Sequence, residues 1–284
     1  MKKNYIIYTV ISIICVIAIA LGVYYEVFIK NDDIVYTPQN TVANNTMDEE
    51  TDNPEQIREE FNSLFTNTIN FQNNRVQNIT KTDESKEIVY AAYNIKQEVE
   101  GKYNFNLNIP MVNITGEVPQ EFNTITQQVF LNKANEIMEN TKEYTIYNID
   151  YIAYINENIL SVAIKSSLKE GNGIQRVMVQ TYNYNLETGE QVTLNDVLNI
   201  KEIKTAQVNQ KIEEQVEKAS KEAEALSQAL GQIGQTIYKR DLNSAIYITD
   251  NVRNFLYGKN GKVYIIYAYG NSSATSEMDI IKID

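Results

Sequence analysis

Between Lys3 and Glu26 the chain carries no charge: "NYIIYTVISIICVIAIALGVYY". A helix needs about 20 apolar residues to cross the hydrocarbon core of a bilayer, and this run has that length. It predicts a single transmembrane helix over residues 5–28. Lys2 and Lys3 mark its cytoplasmic end by the positive-inside rule, and Tyr5, Tyr8, Tyr24 and Tyr25 suit the two interfaces. A cleaved signal peptide is the rival reading, because Ala18-Ile19-Ala20 has the small-x-small form of a cleavage site. Apolar residues continue past it through Leu21, Val23, Tyr24 and Tyr25, which favours an uncleaved anchor. Cys15 follows Ile13-Ile14, where a lipoprotein has small residues. The expected location is the cell membrane, with a stub over residues 1–4 inside and the bulk of the chain extracytoplasmic.

Residues 29–53 turn to Asn, Thr, Asp, Glu and Pro and read as an acidic, disordered stalk. The whole chain of 284 residues has a formal net charge of −12. That balance opposes steering to nucleic acid and favours a cationic partner. With no histidine in the chain, Ser-His-Asp and Cys-His catalysis and His-ligated zinc are excluded. One cysteine, Cys15, forms neither an intramolecular disulfide nor a Cys-rich metal site. No cofactor and no metal site is expected.

Asn53-Pro54-Glu55 is a helix start: a capping side chain, a proline in the first turn, then an acid. Ile57, Phe61, Leu64, Phe65 and Ile69 follow at helical spacing, so residues 54–82 read as an amphipathic helix and linker. The helix either docks on its own domain, extends the stalk or binds a partner. A first α+β half covers residues 83–192. In "GKYNFNLNIPMV", Tyr103, Phe105, Leu107 and Ile109 alternate with Asn104, Asn106 and Asn108, a strand with one buried face. "EIVYAAYNIKQEV" pairs with it through Glu100-Gly101-Lys102. A helix opening at Pro119 precedes three strands of a meander, near Thr145–Ile155, Ile159–Lys165 and Ile174–Tyr184.

Residues 193–284 form the second half. Thr193 with Asp196 resembles a helix cap. Val208, Ile212, Val216, Ala219, Leu226 and Leu230 make the stripe of a long helix over about Ile200–Leu230. "SAIYIT", "VYIIYAYG" and "EMDIIKI" read as strands. The expected class is α+β, antiparallel sheet with helices packed on one side, preceded by the transmembrane helix.

Paired carboxylates run glycosidic chemistry without histidine, and Asp150, Glu157, Glu187, Glu190 and Asp250 sit at strand ends or turns. Their spacing selects no pair. Tyr182 with Tyr184, and Tyr267 with Tyr269, share strand faces and are the candidate binding residues. A tyrosine ring offers a rigid apolar face and a polar tip to sugars or proteins, although most of the twenty tyrosines here must serve core and sheet surfaces.

"NENILSVAIKSSLKEGNGIQRVMVQTYNYNLETGEQVTLNDVL", preceded by "EVPQEFNTITQQVF", resembles an extracytoplasmic domain family of unknown function from Firmicute membrane proteins. That family includes the lysozyme-sensing anti-sigma-V factor and the non-catalytic region of a peptidoglycan deacetylase. The likeness spans about Lys86–Asp284, with Tyr182–Leu198 its most specific piece. "EGNGIQRV" stands where other members carry a Gly-Gly-Ala-His-Gly-like segment. Neither the sigma-binding role nor the deacetylase activity of those two members is expected to transfer, since residues 1–4 are too few for a sigma-binding domain and the likeness includes no catalytic domain. The resemblance implies a fold, an envelope location and a binding role, not an activity. The leading expectation is a membrane-anchored binding or sensing module whose partner is peptidoglycan or a lysozyme-like cationic protein, with a membrane protein as signalling partner. A carboxylate-dependent envelope hydrolase and a structural or assembly factor are the alternatives.

Overall fold

The computed structural model describes residues 53–65, 70–71, 79–230, 238–269 and 278–284. The expected anchor over residues 5–28 and the stalk before Asn53 lie outside the described residues. Among the described residues no helix is long and apolar enough to cross a membrane. Thr51–Asp284 forms one compact unit.

Its elements, in chain order, are α1 (Pro54–Ser63), β1 (Asn70–Phe71), β2 (Val89–Val99), β3 (Tyr103–Val112), α2 (Glu117–Thr126) and α3 (Asn132–Asn140). They continue with β4 (Thr145–Asn156), β5 (Ile159–Glu170), β6 (Arg176–Asn185), α4 (Leu194–Ile200), α5 (Thr205–Leu230), β7 (Phe255–Tyr257), β8 (Val263–Ala268) and β9 (Met278–Ile283). A π-helical turn over Gln127–Leu131 joins α2 to α3. The first sheet has the order β2-β3-β4-β5-β6, with β1 beside the end of β4; the second is β7-β8-β9.

The class is α+β, but the larger sheet is mixed rather than antiparallel. Tyr103–Leu107 runs parallel to Thr145–Ile149, and β1 also pairs parallel to β4. The cause is the α2–α3 segment between β3 and β4. A chain that leaves a strand, crosses the sheet as a helix and returns must re-enter in the same direction.

Helices also lie on both sides rather than one. Phe122, Phe130, Ala134 and Ile137 pack on the sheet face formed by Tyr147, Ile149, Val162, Ile164 and Tyr182. The opposite face, through Ile152, Tyr154, Ala163 and Val179, meets Leu256, Tyr264, Ile266 and Ile280 of the second sheet, with Ile57, Phe61 and Phe65 of α1 beside them. The second sheet turns its other face, with Phe255, Val263, Ile265 and Ile281, to Leu194, Val197, Val208, Ile212 and Val216 of α4 and α5. The amphipathic helix α1 therefore docks on its own domain.

Local sequence chemistry explains the element ends. Asn53 accepts a hydrogen bond from Glu55 N at 2.9 Å, and Thr193 with Asp196 forms a capping box. The expected strand "SAIYIT" is instead two 3-10 turns, Ala245–Tyr247 and Thr249–Asn251. Asn209 Oδ1 accepts from both Thr249 N and its hydroxyl, and Asn251 Nδ2 donates to Ala245 O at 2.9 Å. Side chains that bond nearby backbone compete with a strand ladder. The buried part of the long helix's stripe ends at Ala219, since Leu226 is 52% exposed.

Strand β7, too short to show any periodicity, joins the two sheets. Its Leu256 faces β8, so the N–H and C=O groups of Phe255 and Tyr257 point away from that partner. Each finds a side chain of the larger sheet. Phe255 N donates to Thr181 Oγ1 at 3.1 Å, and Phe255 O accepts from Asn183 Nδ2 at 3.1 Å. Tyr257 N donates to Ser161 Oγ at 2.9 Å, and Tyr257 O accepts from Asn156 Nδ2 at 2.8 Å. Ser161 Oγ in turn donates to Asn183 Oδ1, which fixes the amide of Asn183 towards Phe255.

A second tie runs through Glu60 of α1. Its carboxylate accepts from Tyr264 Oη at 2.8 Å, Lys262 Nζ at 3.2 Å and Lys282 Nζ at 3.1 Å. Burial pushes its pKa up, but the hydrogen bond from Tyr264 and those from Lys282 and Lys262 outweigh that and hold it below the ordinary glutamate range.

Removing one partner of a buried backbone group costs about 1–3 kcal/mol. Asn183→Ala is therefore expected to lower unfolding free energy in urea by about that amount. Asn94→Ala, on the exposed face of β2, is expected to change it by less than about 0.5 kcal/mol. Equal effects would deny β7 its side-chain partners.

Candidate functional site: a polar sheet face and its groove

One half of the second face of the larger sheet is covered by the smaller sheet; the other half is open and polar. The alternation in β3 places Asn104, Asn106 and Asn108 there, half-buried between neighbours. In register beside them stand Glu98, Lys96 and Asn94 of β2, and Asn148 of β4 opposite Asn106. Asp150 accepts from Asn108 Nδ2 at 3.0 Å, and Asn148 Nδ2 lies 3.4 Å from Ser167 Oγ. Asp150 faces Lys165 across β4 and β5, and Asn148 faces Ser167. The result is a continuous field of amides, hydroxyls and charges of both signs.

This field runs into a groove of about 820 Å³. Its polar lining comes from the sheet, through Asn148, Asp150, Lys165 and Ser167, and from Glu55, Arg58 and Asn62 of α1. Those three recur at helical spacing on the side of α1 away from its buried Ile57 and Phe61. α5 contributes a largely apolar wall through Ala219, Ala223 and Leu226 with Glu222 among them, and Gln175, Val177, Arg240 and Met278 complete the lining. The Lys165 ammonium donates to Asn62 Oδ1 at 2.8 Å and stands 4.5 Å from the centre of the Phe65 ring. Burial pulls its pKa below the ordinary lysine value, and the nearby Asp150 opposes that shift.

The carboxylates singled out in the sequence do not converge. Asp150 lines the groove, whereas Glu157, Glu187 and Glu190 occupy exposed turns. Asp250 lies in a separate groove of about 690 Å³ and accepts from Asn195 Nδ2 at 2.8 Å. Among the described residues no three carboxylates group as a metal site.

The four tyrosines are core residues: Tyr182 and Tyr184 are each 5% exposed, Tyr267 7% and Tyr269 6%. Tyr182 packs 4.4 Å from the ring of Phe122, and burial raises its hydroxyl pKa. Tyr267 and Tyr269 border the Asp250 groove, but the Tyr267 hydroxyl is buried without a partner among the described residues. Tyr269 Oη donates to Asp279 Oδ2 at 2.8 Å and receives the hydroxyl of Tyr247 at 2.7 Å. Asp279 also takes a bidentate pair from Arg240 at 2.6 and 2.7 Å, with both side chains no more than 4% exposed. These rings are closed to a ligand's face. A sugar-stacking role for them, expected from alternation alone, is replaced by packing, because both strands are covered on the side where the tyrosines point.

Sequence reasoning missed Arg58, Asn62, Lys165 and Ser167. The available signal was the helical spacing of Glu55, Arg58 and Asn62 and the unbroken Asn alternation of β3, which marked outward faces without showing that they meet.

No protein-family model and no curated protein matches the chain. Among solved structures it is similar to a DUF3298 family protein from Pseudomonas aeruginosa PAO1. That likeness has 15% identity and a TM-score of 0.34, covering 65% of this chain and 84% of that one. It is also similar to a DUF3298 family member from Bacteroides fragilis NCTC 9343, at 13% identity and a TM-score of 0.31, covering 63% and 81%. The structural neighbours thus come from a domain family of unknown function.

The contrast between the two tyrosine sites is measurable. Tyr182→Phe removes a hydroxyl with no partner among the described residues, so stability is expected to hold within about 0.5 kcal/mol or rise. Tyr269→Phe withdraws a donor from a buried carboxylate and is expected to cost about 1–3 kcal/mol. The reverse order in urea titrations would mean that the two environments are misassigned.

Proposed function

We propose that this protein is a membrane-anchored binding module of the bacterial cell envelope, held by the helix over residues 5–28, with its compact unit outside. In this reading the open half of the larger sheet and its groove hold a wall glycan. The observation that carries it is the amide field of Asn104, Asn106, Asn108 and Asn148 leading into a groove with a polar lining and one largely apolar wall. Sugars present hydroxyl and acetamido groups along their edges and C–H surfaces on their faces. An amide both donates and accepts, and an alanine-lined wall takes a C–H face.

The resemblance to Firmicute envelope domains supports the location and a binding role. Of the carboxylates singled out in the sequence only Asp150 lines the groove, and Glu55 and Glu222 share it, so hydrolysis stands as an outcome for the titration to test. A second reading, capture of a cationic protein such as a lysozyme, is favoured by the net charge of −12. The two differ in the degree of salt dependence, since hydrogen bonds to sugar hydroxyl and acetamido groups and at most a single carboxylate contact are screened far less than the encounter of a chain of charge −12 with a cationic protein.

Calorimetric titration of the full chain in nanodiscs with soluble peptidoglycan fragments and with lysozyme, at low and moderate salt, separates them. The expected result is saturable binding of fragments, weakened about fivefold to tenfold by Asn106→Ala or Asn148→Ala, each worth about 1 kcal/mol. Lysozyme binding that fades with salt, without fragment binding, would install the second reading instead. Mass spectra of the recovered fragments test the hydrolase alternative, and new products would replace both.

A further inference from the structure

We infer that Arg58 and Lys165 form an anion subsite in this groove that accepts the carboxylate of an acidic sugar. The inference deepens the glycan-binding reading by naming the group that orients the ligand.

In a chain with this excess of acids, the buried and half-buried cations are mostly committed. Lys262 and Lys282 serve Glu60, Arg176 serves Glu170, and Arg240 serves Asp279. Lys81 and Lys201 spend their ammonium groups on the backbone carbonyls of Lys86 and Gly261. Arg58 and Lys165 differ in lining the groove. Both are half-buried, and they come from separate elements. Neither has a carboxylate within ion-pair distance among the described residues. The contacts that hold Lys165 are neutral, the Asn62 amide and the Phe65 ring, so they position the ammonium without neutralising it. Asp150, its cross-strand neighbour, accepts from Asn108 and makes no ion pair with Lys165, although its charge still acts on the ammonium. A half-buried cation in that condition gains from an arriving anion more than a solvated surface lysine does. Burial depresses the pKa of Lys165 against the pull of Asp150, and an arriving anion would add to that pull.

The other charged groups around the groove set the class of anion. Glu55, Asp150 and Glu222 line it as well, and Arg240 is turned to Asp279. Three carboxylates at the margin repel a dianion more strongly than a monoanion. A single carboxylate fits the guanidinium of Arg58 and the ammonium of Lys165, while the rest of the ligand lies along the amides and the alanine-lined wall.

The test uses two probes that share a ring and an acetamido group and differ in one acid: N-acetylmuramic acid and N-acetylglucosamine. Each is titrated into the full chain in nanodiscs by saturation-transfer NMR. In parallel, the acetylation rate of Lys165 is followed by peptide mass spectrometry. The expected result is about tenfold tighter binding of the acid, with the preference lost in Arg58→Gln and in Lys165→Gln. The acid should also slow Lys165 acetylation several-fold, by covering the amine and raising its pKa, while the neutral sugar should not. A lysine that is merely structural would show no such difference, whatever the substitutions do to folding. Absence of any preference for the acid overturns the subsite. If both sugars bind equally, the glycan reading survives without it; if neither binds, titration with longer fragments decides that reading separately. Stronger protection of Lys165 by inorganic phosphate than by the acid, at equal ionic strength, overturns the carboxylate assignment.

Discussion

The fold turns on four backbone groups of a three-residue strand. Phe255 and Tyr257 each present one N–H and one C=O away from β8, inside the molecule where no strand among the described residues continues the ladder. Left unpaired, groups of this kind cost more than the packing around them readily offsets. Asn156, Ser161, Thr181 and Asn183 supply the partners, one to each group. The smaller sheet is thereby fixed in place over one part of the larger sheet. Apolar contacts alone tolerate sliding between faces; directional hydrogen bonds to single atoms do not.

Fixing the smaller sheet also decides what stays uncovered. The face that carries Ile152, Tyr154 and Ala163 under the second sheet carries Asn148, Asp150, Lys165 and Ser167 beyond it. α1 bounds the open region because Glu60 ties it to Lys262, Tyr264 and Lys282, and α5 bounds it because Val208, Ile212 and Val216 anchor it to the far side of the smaller sheet. The groove is thus a consequence of how the layers lock, and its chemistry is what the exposed strand positions happen to bear.

Much of this architecture was legible in the chain, because it is local. The Thr193–Asp196 capping box, the Asn53 cap and the hairpin through Gly101 each rest on residues within a few positions of one another. The alternation of β3 announced a solvent face just as directly. What was not legible depends on partners far along the sequence. Asn183 and Asn106 are the same residue on strands of the same sheet, yet one is buried against Phe255, 72 positions away, and the other is half-open. The parallel return of β4, the turns that replace "SAIYIT" and the closure over Tyr267 and Tyr269 are likewise set by tertiary context. Tyrosines on a shared strand face look alike to sequence reasoning whether that face meets solvent or a helix.

Asparagine side-chain amides give the most direct test, because they sit in both environments. Selective 15N labelling of those amides in the full chain, followed by addition of soluble wall fragments, reads the open face and the internal latch in one spectrum. The account predicts that the signals of Asn104, Asn106 and Asn148 move on binding, while those of Asn156 and Asn183 stay fixed. Movement confined to Asn251 and Asn254 in the second groove, or none at the β3 ladder when fragments bind, would contradict it.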